Sequence, residues 1–212
     1  MKTRLLMLLS VFMAITSVGW MQAQSITYYK TGSGSGGTGT EQDPIVKISL
    51  DEILRDANAK TESDSIVVSL SNGDYTAASG TFLITKSGIS IIGTDSNKVV
   101  IKSPFDITLS EKGNISFSSL QIAATTATGR GLVDIKSSNT TVSFLDVKLN
   151  IEGAGTADGG STTCFGIVSQ LEVDNNTVNF VASHMYMSKG FQRGLCFRDG
   201  AGHTLNMENS KI

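Results

Sequence analysis

Four aspartates have side chains that could cleave a glycosidic bond. Hydrolysis of a sugar chain usually needs two carboxyl groups about 5 to 9.5 Å apart, one acting as the acid and the other as the base or nucleophile. None of the four has a second acidic residue beside it in the sequence. They are Asp134, Asp146, Asp174 and Asp199. The sequence therefore offers no recognisable catalytic pair, and whether the protein is an enzyme stays open.

Basic residues in the C-terminal third could bind acidic sugars. The candidate substrate-binding residues are Lys148, Lys189, Arg193 and Arg198. They flank a segment rich in Gly, Thr and Ala, from Glu152 to Thr163, which indicates a longer surface loop. Insertions in repeat proteins commonly collect on the binding face. The sequence thus predicts a weakly basic groove beside this loop.

Metal and cofactor signals are weak. His184 and His203 have no partner at the spacing of metal ligands. Gly34 to Gly39 fits the pattern G-x-G-x-x-G, but no helix opens on it, so a dinucleotide site is not indicated. No metal site and no cofactor are therefore expected from these residues.

The chain holds two cysteines, Cys164 and Cys196. In an oxidising compartment they are a candidate disulfide, closing a loop worth about 3 kcal/mol in the chain-entropy model. The alternative is two buried free thiols that pack as small apolar side chains.

Charge and composition exclude several classes of protein. The 212 residues carry a formal net charge of −2 and only 17% are charged, which excludes a polybasic nucleic-acid binder. The hydrophobic fraction of 40% is too high for a disordered chain. With 22 Gly and 2 Pro, and with much Ser and Thr, the composition favours β structure with many turns.

The first 23 residues are predicted to be a signal peptide. Lys2 and Arg4 precede an apolar run from Leu5 to Val18, and Ala23 offers a cleavage point. No other apolar run is long enough to cross a membrane. We therefore expect an exported protein, located outside the cell, on its surface or in the periplasm.

Short apolar motifs repeat along the rest of the chain. Their first residues are 23, 26, 27, 36 and 27 positions apart: Ile66, Ile89, Ile115, Val142, Val178 and Leu205. A second apolar column follows two positions later, at Val68, Ile91, Phe117, Phe144, Phe180 and Met207. One such repeat cannot bury its own apolar face, so successive coils must stack. A third strand precedes the motif, with Ile107/Leu109, Val133/Ile135 and Leu195/Phe197 as its predicted equivalents.

Two further signals complete the predicted architecture. Asn114, Asn139 and Asn175 fit glycosylation acceptors, but their places between strands favour corners with left-handed backbone. Ser49 and Glu52 form a capping box that opens an amphipathic helix. Residues 24–64 are therefore predicted to be an N-terminal segment whose helix covers the first coil, and residues 65–212 the coils themselves.

The repeat and the N-terminal segment together resemble the secreted right-handed parallel β-helix proteins of the pectate-lyase-like superfamily. The rung Ile89 to Gly93 and the order of Tyr28-Tyr29-Lys30, a Gly/Ser/Thr run, Asp43-Pro44 and a helix carry this resemblance. It implies an all-β fold, a right-handed parallel β-helix (solenoid) with an N-terminal capping α-helix.

The resemblance also suggests a reaction. Arg193-Gly194-Leu195-Cys196-Phe197-Arg198 is similar to the pectate lyase pattern R-x-P-x-x-R, with Leu195 in place of proline. It implies Arg198 as the catalytic base and Arg193 in a structural or substrate-binding role. Ca²⁺ is implied by the resemblance alone, because the expected aspartate cluster is missing. The alternative is that both arginines simply flank an ordinary strand.

The sequence thus predicts an exported protein that binds or processes an extracellular, acidic polysaccharide. The alternative is a noncatalytic surface solenoid or adhesin. Ile212 would lie at an inward position of an unfinished coil. A C-terminal continuation or self-association is therefore expected to cover that coil.

Overall fold

A computed structural model describes residues 25–61, 64–124, 130–152, 164–170, 172–187 and 192–212. Within these ranges the chain forms sixteen strands and one helix. The predicted signal peptide and most of the predicted loop at 152–163 lie outside them. Among the described residues, no helix is long and apolar enough to span a membrane.

Eleven strands form one sheet. In chain order they are β1 (Ile26–Thr31), β2 (Ile45–Lys47), β3 (Ser65–Leu70), β4 (Gly73–Tyr75), β6 (Ile89–Gly93), β7 (Val99–Ile101), β9 (Gly113–Ala124), β11 (Thr140–Ile151), β13 (Thr177–Val181), β14 (His184–Tyr186) and β16 (Thr204–Glu208). Its main path runs β16-β13-β11-β9-β6-β3-β1-β2, and the remaining three strands pair at its side.

A second sheet has five strands in the order β15-β12-β10-β8-β5. These are β5 (Phe82–Ile84), β8 (Phe105–Ile107), β10 (Gly131–Ile135), β12 (Cys164–Ser169) and β15 (Gln192–Phe197). All pairings between the named strands are parallel in both sheets. The chain is thus predominantly β, with long parallel sheets and one helix, an arrangement compatible with a solenoid.

The two predicted apolar columns are confirmed by the strand register. Ile66 pairs with Ile89 and Ile89 with Ile115, and the same register continues through Val142 and Val178 to Leu205. The second column stacks the rings of Phe117, Phe144 and Phe180 with centroids 5.4 and 5.0 Å apart. These rings are essentially fully buried, so the columns form the core as far as Val178 and Phe180, whereas Leu205 and Met207 in the last strand are exposed.

The predicted third strand is correct in two places and out of register in one. Val133 aligns with Leu195 through Ile167, as expected. However, Val133 pairs with Phe105, and Ile107 pairs with Ile135. The prediction that aligned Ile107 with Val133 is therefore wrong by two residues. Phe105 was overlooked because the distance from this strand to the next motif is not constant along the chain.

The corners between strands use left-handed backbone. Asn139 and Asn175 have φ values of 57° and 55°, which confirms two of the three predicted asparagine corners. Asn114 instead lies within β9, so the third prediction is wrong. A second set of corners, equivalent in successive coils, carries ordinary residues with positive φ: Ser119, Asp146, Ala182 and Asn209.

The predicted helix, α1 (Leu50–Asn58), is confirmed. Ser49 Oγ accepts a hydrogen bond from the Glu52 amide at 3.2 Å, while the Glu52 carboxylate accepts from the Ile48 amide rather than from the Ser49 amide of a standard capping box. The helix buries an apolar face on the core, made by Leu50, Ile53, Leu54 and Ala57. Its last residue, Asn58, bonds to the backbone of the first coil.

Asn58 binds the free edge of β5 through both ends of its amide. Its Nδ2 donates to the Leu83 carbonyl at 2.9 Å, and its Oδ1 accepts from the Thr85 amide at 3.0 Å. One side chain thus takes the place of a neighbouring strand and satisfies backbone groups at the sheet edge.

Candidate functional site

Two aspartates lie side by side on the outer face of the five-stranded sheet. Asp106 in the middle of β8 pairs in register with Asp134 in β10. The residues on either side of each aspartate point into the core, and side chains alternate along a strand. Both carboxylates therefore face away from the core on neighbouring strands, which lie about 4.8 Å apart.

One guanidinium joins the two carboxylates. Arg130 Nη2 donates to both carboxylate oxygens of Asp106 at 2.9 Å, and Arg130 Nε is paired with Asp134 Oδ2. Lys136 Nζ also donates to Asp106 Oδ2, at 2.5 Å. Asp106 is thus neutralised by two cations, while Asp134 shares one of them.

The two aspartates have different environments. The Asp134 side chain is 1% exposed and that of Asp106 is 18% exposed. Burial raises the pKa of Asp134 and the Asp106 charge adds to this, although the Gly131 amide, Arg130 and Gln170 oppose it. Asp134 therefore keeps its proton to a higher pH than an ordinary aspartate does.

The cluster continues across the sheet to Arg198. Asp134 Oδ1 accepts from the Gly131 amide at 2.9 Å and from Gln170 Nε2 at 3.0 Å. Gln170 Oε1 in turn accepts from Arg198 Nη1 at 3.3 Å. Three of the polar residues occupy equivalent positions, each just after a strand of this sheet. In each case the backbone amide donates to the last residue of the neighbouring strand in the preceding coil; they are Lys136, Gln170 and Arg198.

A cleft of 510 Å³ opens at the Asp106 end of this polar row. Its lining residues are Gly80, Thr81, Pro104, Asp106, Arg130, Gly131 and Asp134. The Arg130 side chain is 39% exposed, so a ligand in the cleft can reach it. A ligand in the cleft would therefore meet a cation, Arg130, and an acid that can carry a proton, Asp134.

The other predicted basic residues are not gathered here. Lys148 lies on β11 of the eleven-stranded sheet, where its Nζ donates to Asn97 Oδ1 at 2.5 Å. Arg193 lies in β15 opposite Phe165, but its side chain is outside the described part of the structure. Lys189 is outside the described residues altogether. Of the four, Arg198 is the one with a described bond to the cluster.

The other predicted acids have no described bond to this cluster. Asp174 Oδ1 accepts from the Ala201 amide at 2.7 Å, and Asp146 and Asp199 are corner residues with positive φ. His203 Nδ1 accepts from the Asn176 amide and its ring stacks on Phe197.

The two cysteines lie on paired strands but out of register. Cys164 is opposite Gln192, whereas Cys196 is opposite Val168 and is a free thiol. The two cysteines are therefore offset by four residues along the strands, or about 13 Å. A disulfide tolerates at most about 7 Å between the two Cα atoms. The structure therefore does not bring the candidate disulfide together.

Sequence analysis missed Asp106, Arg130, Lys136 and Gln170. A signal was present: Phe105-Asp106-Ile107 and Val133-Asp134-Ile135 are both apolar-Asp-apolar triplets, 28 positions apart. Because the third strand was aligned two residues out, Asp134 lacked a carboxylate neighbour in the predicted coils.

The cluster does not suit Ca²⁺. Ca²⁺ takes six to eight oxygen ligands, but the Asp106 oxygens are bound by Arg130 and Lys136. Across the described ranges, no group of three or more His, Cys, Asp or Glu side chains could hold a metal ion. The ion that the resemblance implies therefore has no fitting ligand set at this site.

Comparison of the chain with protein-family models, with curated proteins and with solved structures finds no match.

Proposed function

We propose that this protein is an exported right-handed parallel β-helix, similar to the pectate-lyase-like proteins, that binds an acidic polysaccharide. The outer face of the five-stranded sheet is the proposed binding surface. The observation that carries the proposal is the continuous polar chain from Asp106 through Arg130, Asp134 and Gln170 to Arg198, which crosses four strands beside a cleft.

The β-helix assignment rests on the stacking of equivalent segments. Equivalent strands pair in parallel at each repeat, the apolar columns stay in register, and left-handed corners recur at matching positions. Connections between parallel strands of one sheet are right-handed in nearly all proteins, which favours the right-handed form. In this architecture, equivalent side chains of successive coils form straight rows, which suit a long polymer ligand.

The charge of the row favours an acidic sugar. The row holds three cations, Arg130, Lys136 and Arg198, and two carboxyl groups, and burial raises the pKa of one of these, Asp134. Guanidinium groups bind carboxylates in paired hydrogen bonds, and they are weakly hydrated. An excess of cationic donors next to a cleft therefore suits a polymer that carries carboxylates.

The aspartate pair favours hydrolysis as a second candidate function. Asp106 and Asp134 lie on neighbouring strands, and burial raises the pKa of Asp134, as the acid of such a pair requires. In this assignment Asp134 is the acid and Asp106 the nucleophile, because carboxyl groups on strands about 4.8 Å apart are too close to leave room for a water between base and sugar.

Affinity electrophoresis through gels that contain single polysaccharides tests the proposal. Polygalacturonate and alginate should retard the full chain, and their carboxyl-reduced forms should not. Equal mobility in all gels would contradict the proposal and leave the noncatalytic surface solenoid. Release of reducing sugar by wild type but not by Asp134→Asn would establish hydrolysis.

A further inference from the structure

We propose a second saccharide contact on another face of the molecule, where Tyr186 stacks on one sugar ring and Lys148 pairs with its carboxylate. This inference rests on the proposed function, since it names a further contact for the same acidic polysaccharide. The face is formed by the C-terminal halves of β9 and β11 together with β14, and we call it the tyrosine face. Its residues are Gln121, Lys148, Asn150, His184 and Tyr186.

The strand register places these side chains in two short rows. Gln121, Lys148 and His184 pair in one row, and Asn150 pairs with Tyr186 in the next. Leu149 and Met185, between the two rows, are buried in the core. Because side chains alternate along a strand, the two rows share the outer surface.

Tyr186 presents a ring to solvent. It is 48% exposed, and it is the one aromatic residue among the exposed large apolar side chains of the described ranges. The His184 ring lies nearly parallel to it, 19° between planes and 6.3 Å between centroids. This stacking leaves the opposite face of the tyrosine ring as the flat surface that a sugar ring can cover.

Lys148 gives this face a positive charge. Its Nζ is bonded to an amide oxygen, that of Asn97, and within the described ranges no carboxylate lies at ion-pair distance from it. An ammonium group has three donors, so two remain for a ligand. A ring platform beside a cation and the amides of Gln121 and Asn150 matches an acidic sugar better than a neutral or purely apolar partner.

Calorimetric titration of the full chain with polygalacturonate, at low and high salt, tests the proposal. We expect Tyr186→Ala to weaken binding about three- to tenfold, and Tyr186→Phe, which keeps the ring, to bind within about twofold of wild type. Lys148→Ala should weaken binding about threefold at low salt and have little effect at high salt. Leu145→Ala, an equally exposed apolar side chain on the other half of β11, is the matched control.

The outcomes separate this inference from the proposed function. Unchanged binding in both Tyr186→Ala and Lys148→Ala, with loss of binding in Arg198→Ala, would overturn the tyrosine face and leave the proposed function intact. The opposite pattern would support the tyrosine face and reject the five-stranded sheet as the binding surface. No binding by wild type would overturn both, and equal weakening by Leu145→Ala would also count against the tyrosine face.

Discussion

Asp106 and Asp134 lie directly opposite each other on neighbouring parallel strands, and the guanidinium of Arg130 is paired with both. Two like charges this close would repel, so the Asp106 charge adds to the burial that raises the pKa of Asp134, while the shared Arg130 opposes it. The packing around Asp134 therefore makes the stability of this face depend on pH.

The stability contributed by Asp134 should depend on pH. Burial raises its pKa in the folded protein, so its contribution is complete below the unfolded pKa and is lost as pH rises through the folded pKa. Asp134→Asn keeps the Oδ1 acceptor and removes the ionisation. The unfolding free energy of this variant minus that of wild type should increase from about pH 4 upward, as measured by urea denaturation. A difference that falls with pH would show a lowered pKa instead.

The phenylalanine column should dominate the stability of the coils. Phe144 is buried between Phe117 and Phe180, so Phe144→Ala leaves a cavity and should cost about 3 to 5 kcal/mol. Its neighbour Leu145 is 52% exposed, and Leu145→Ala should change the unfolding free energy by less than about 0.5 kcal/mol. Urea denaturation of both variants checks this, and similar losses in the two would contradict the inward and outward assignments.

Glycine should make the protein more stable than alanine does at the corner residue 182. Ala182 has φ 49°, a left-handed conformation that costs a residue with a Cβ about 1 to 2 kcal/mol. Glycine avoids this strain, but it loses more conformational entropy than alanine when the chain folds, which offsets part of the gain. Ala182→Gly should therefore stabilise the protein by about 0.5 to 1 kcal/mol. Ala182→Val should destabilise it. Thermal denaturation of the two variants measures the sign, and a destabilising glycine would mean that the corner is not left-handed.

The side chain of Asn58 should stabilise the edge of the first coil. Asn58→Ala removes two hydrogen bonds to the edge of β5 and should cost about 1 to 3 kcal/mol. Hydrogen exchange at the Thr85 amide should become faster in this variant. Lys60→Ala, an exposed change just beyond the same helix, serves as the control. An unchanged exchange rate at Thr85 would show that the edge is covered in another way.

The core could be predicted from the sequence because apolar residues recur at nearly constant spacing. Ile89, Ile115 and Val142 are 26 and 27 positions apart, so the same offset aligns a whole column. The helix was predictable from Ser49 and Glu52 for a similar reason, since a capping box is a local pattern.

The polar cluster could not be predicted in this way because it depends on long-range register. Arg130 lies 24 positions after Asp106, and a two-residue error in the alignment of one short strand hid the pair. Arg198 was a candidate for its similarity to a lyase pattern, yet its described bond is to Gln170, which no motif marks. Charged residues on outer faces have no apolar period to locate them.

The most direct test of the proposed function is the affinity of the full chain for polygalacturonate, measured for wild type, Arg198→Ala and Lys112→Ala at low ionic strength. Arg198 belongs to the polar row, whereas Lys112 is an exposed residue of a turn with the same charge. We expect Arg198→Ala to bind about tenfold more weakly than wild type, and Lys112→Ala to bind as wild type does. Equal affinities for all three proteins, or equal losses in both variants, would contradict a specific site on the five-stranded sheet.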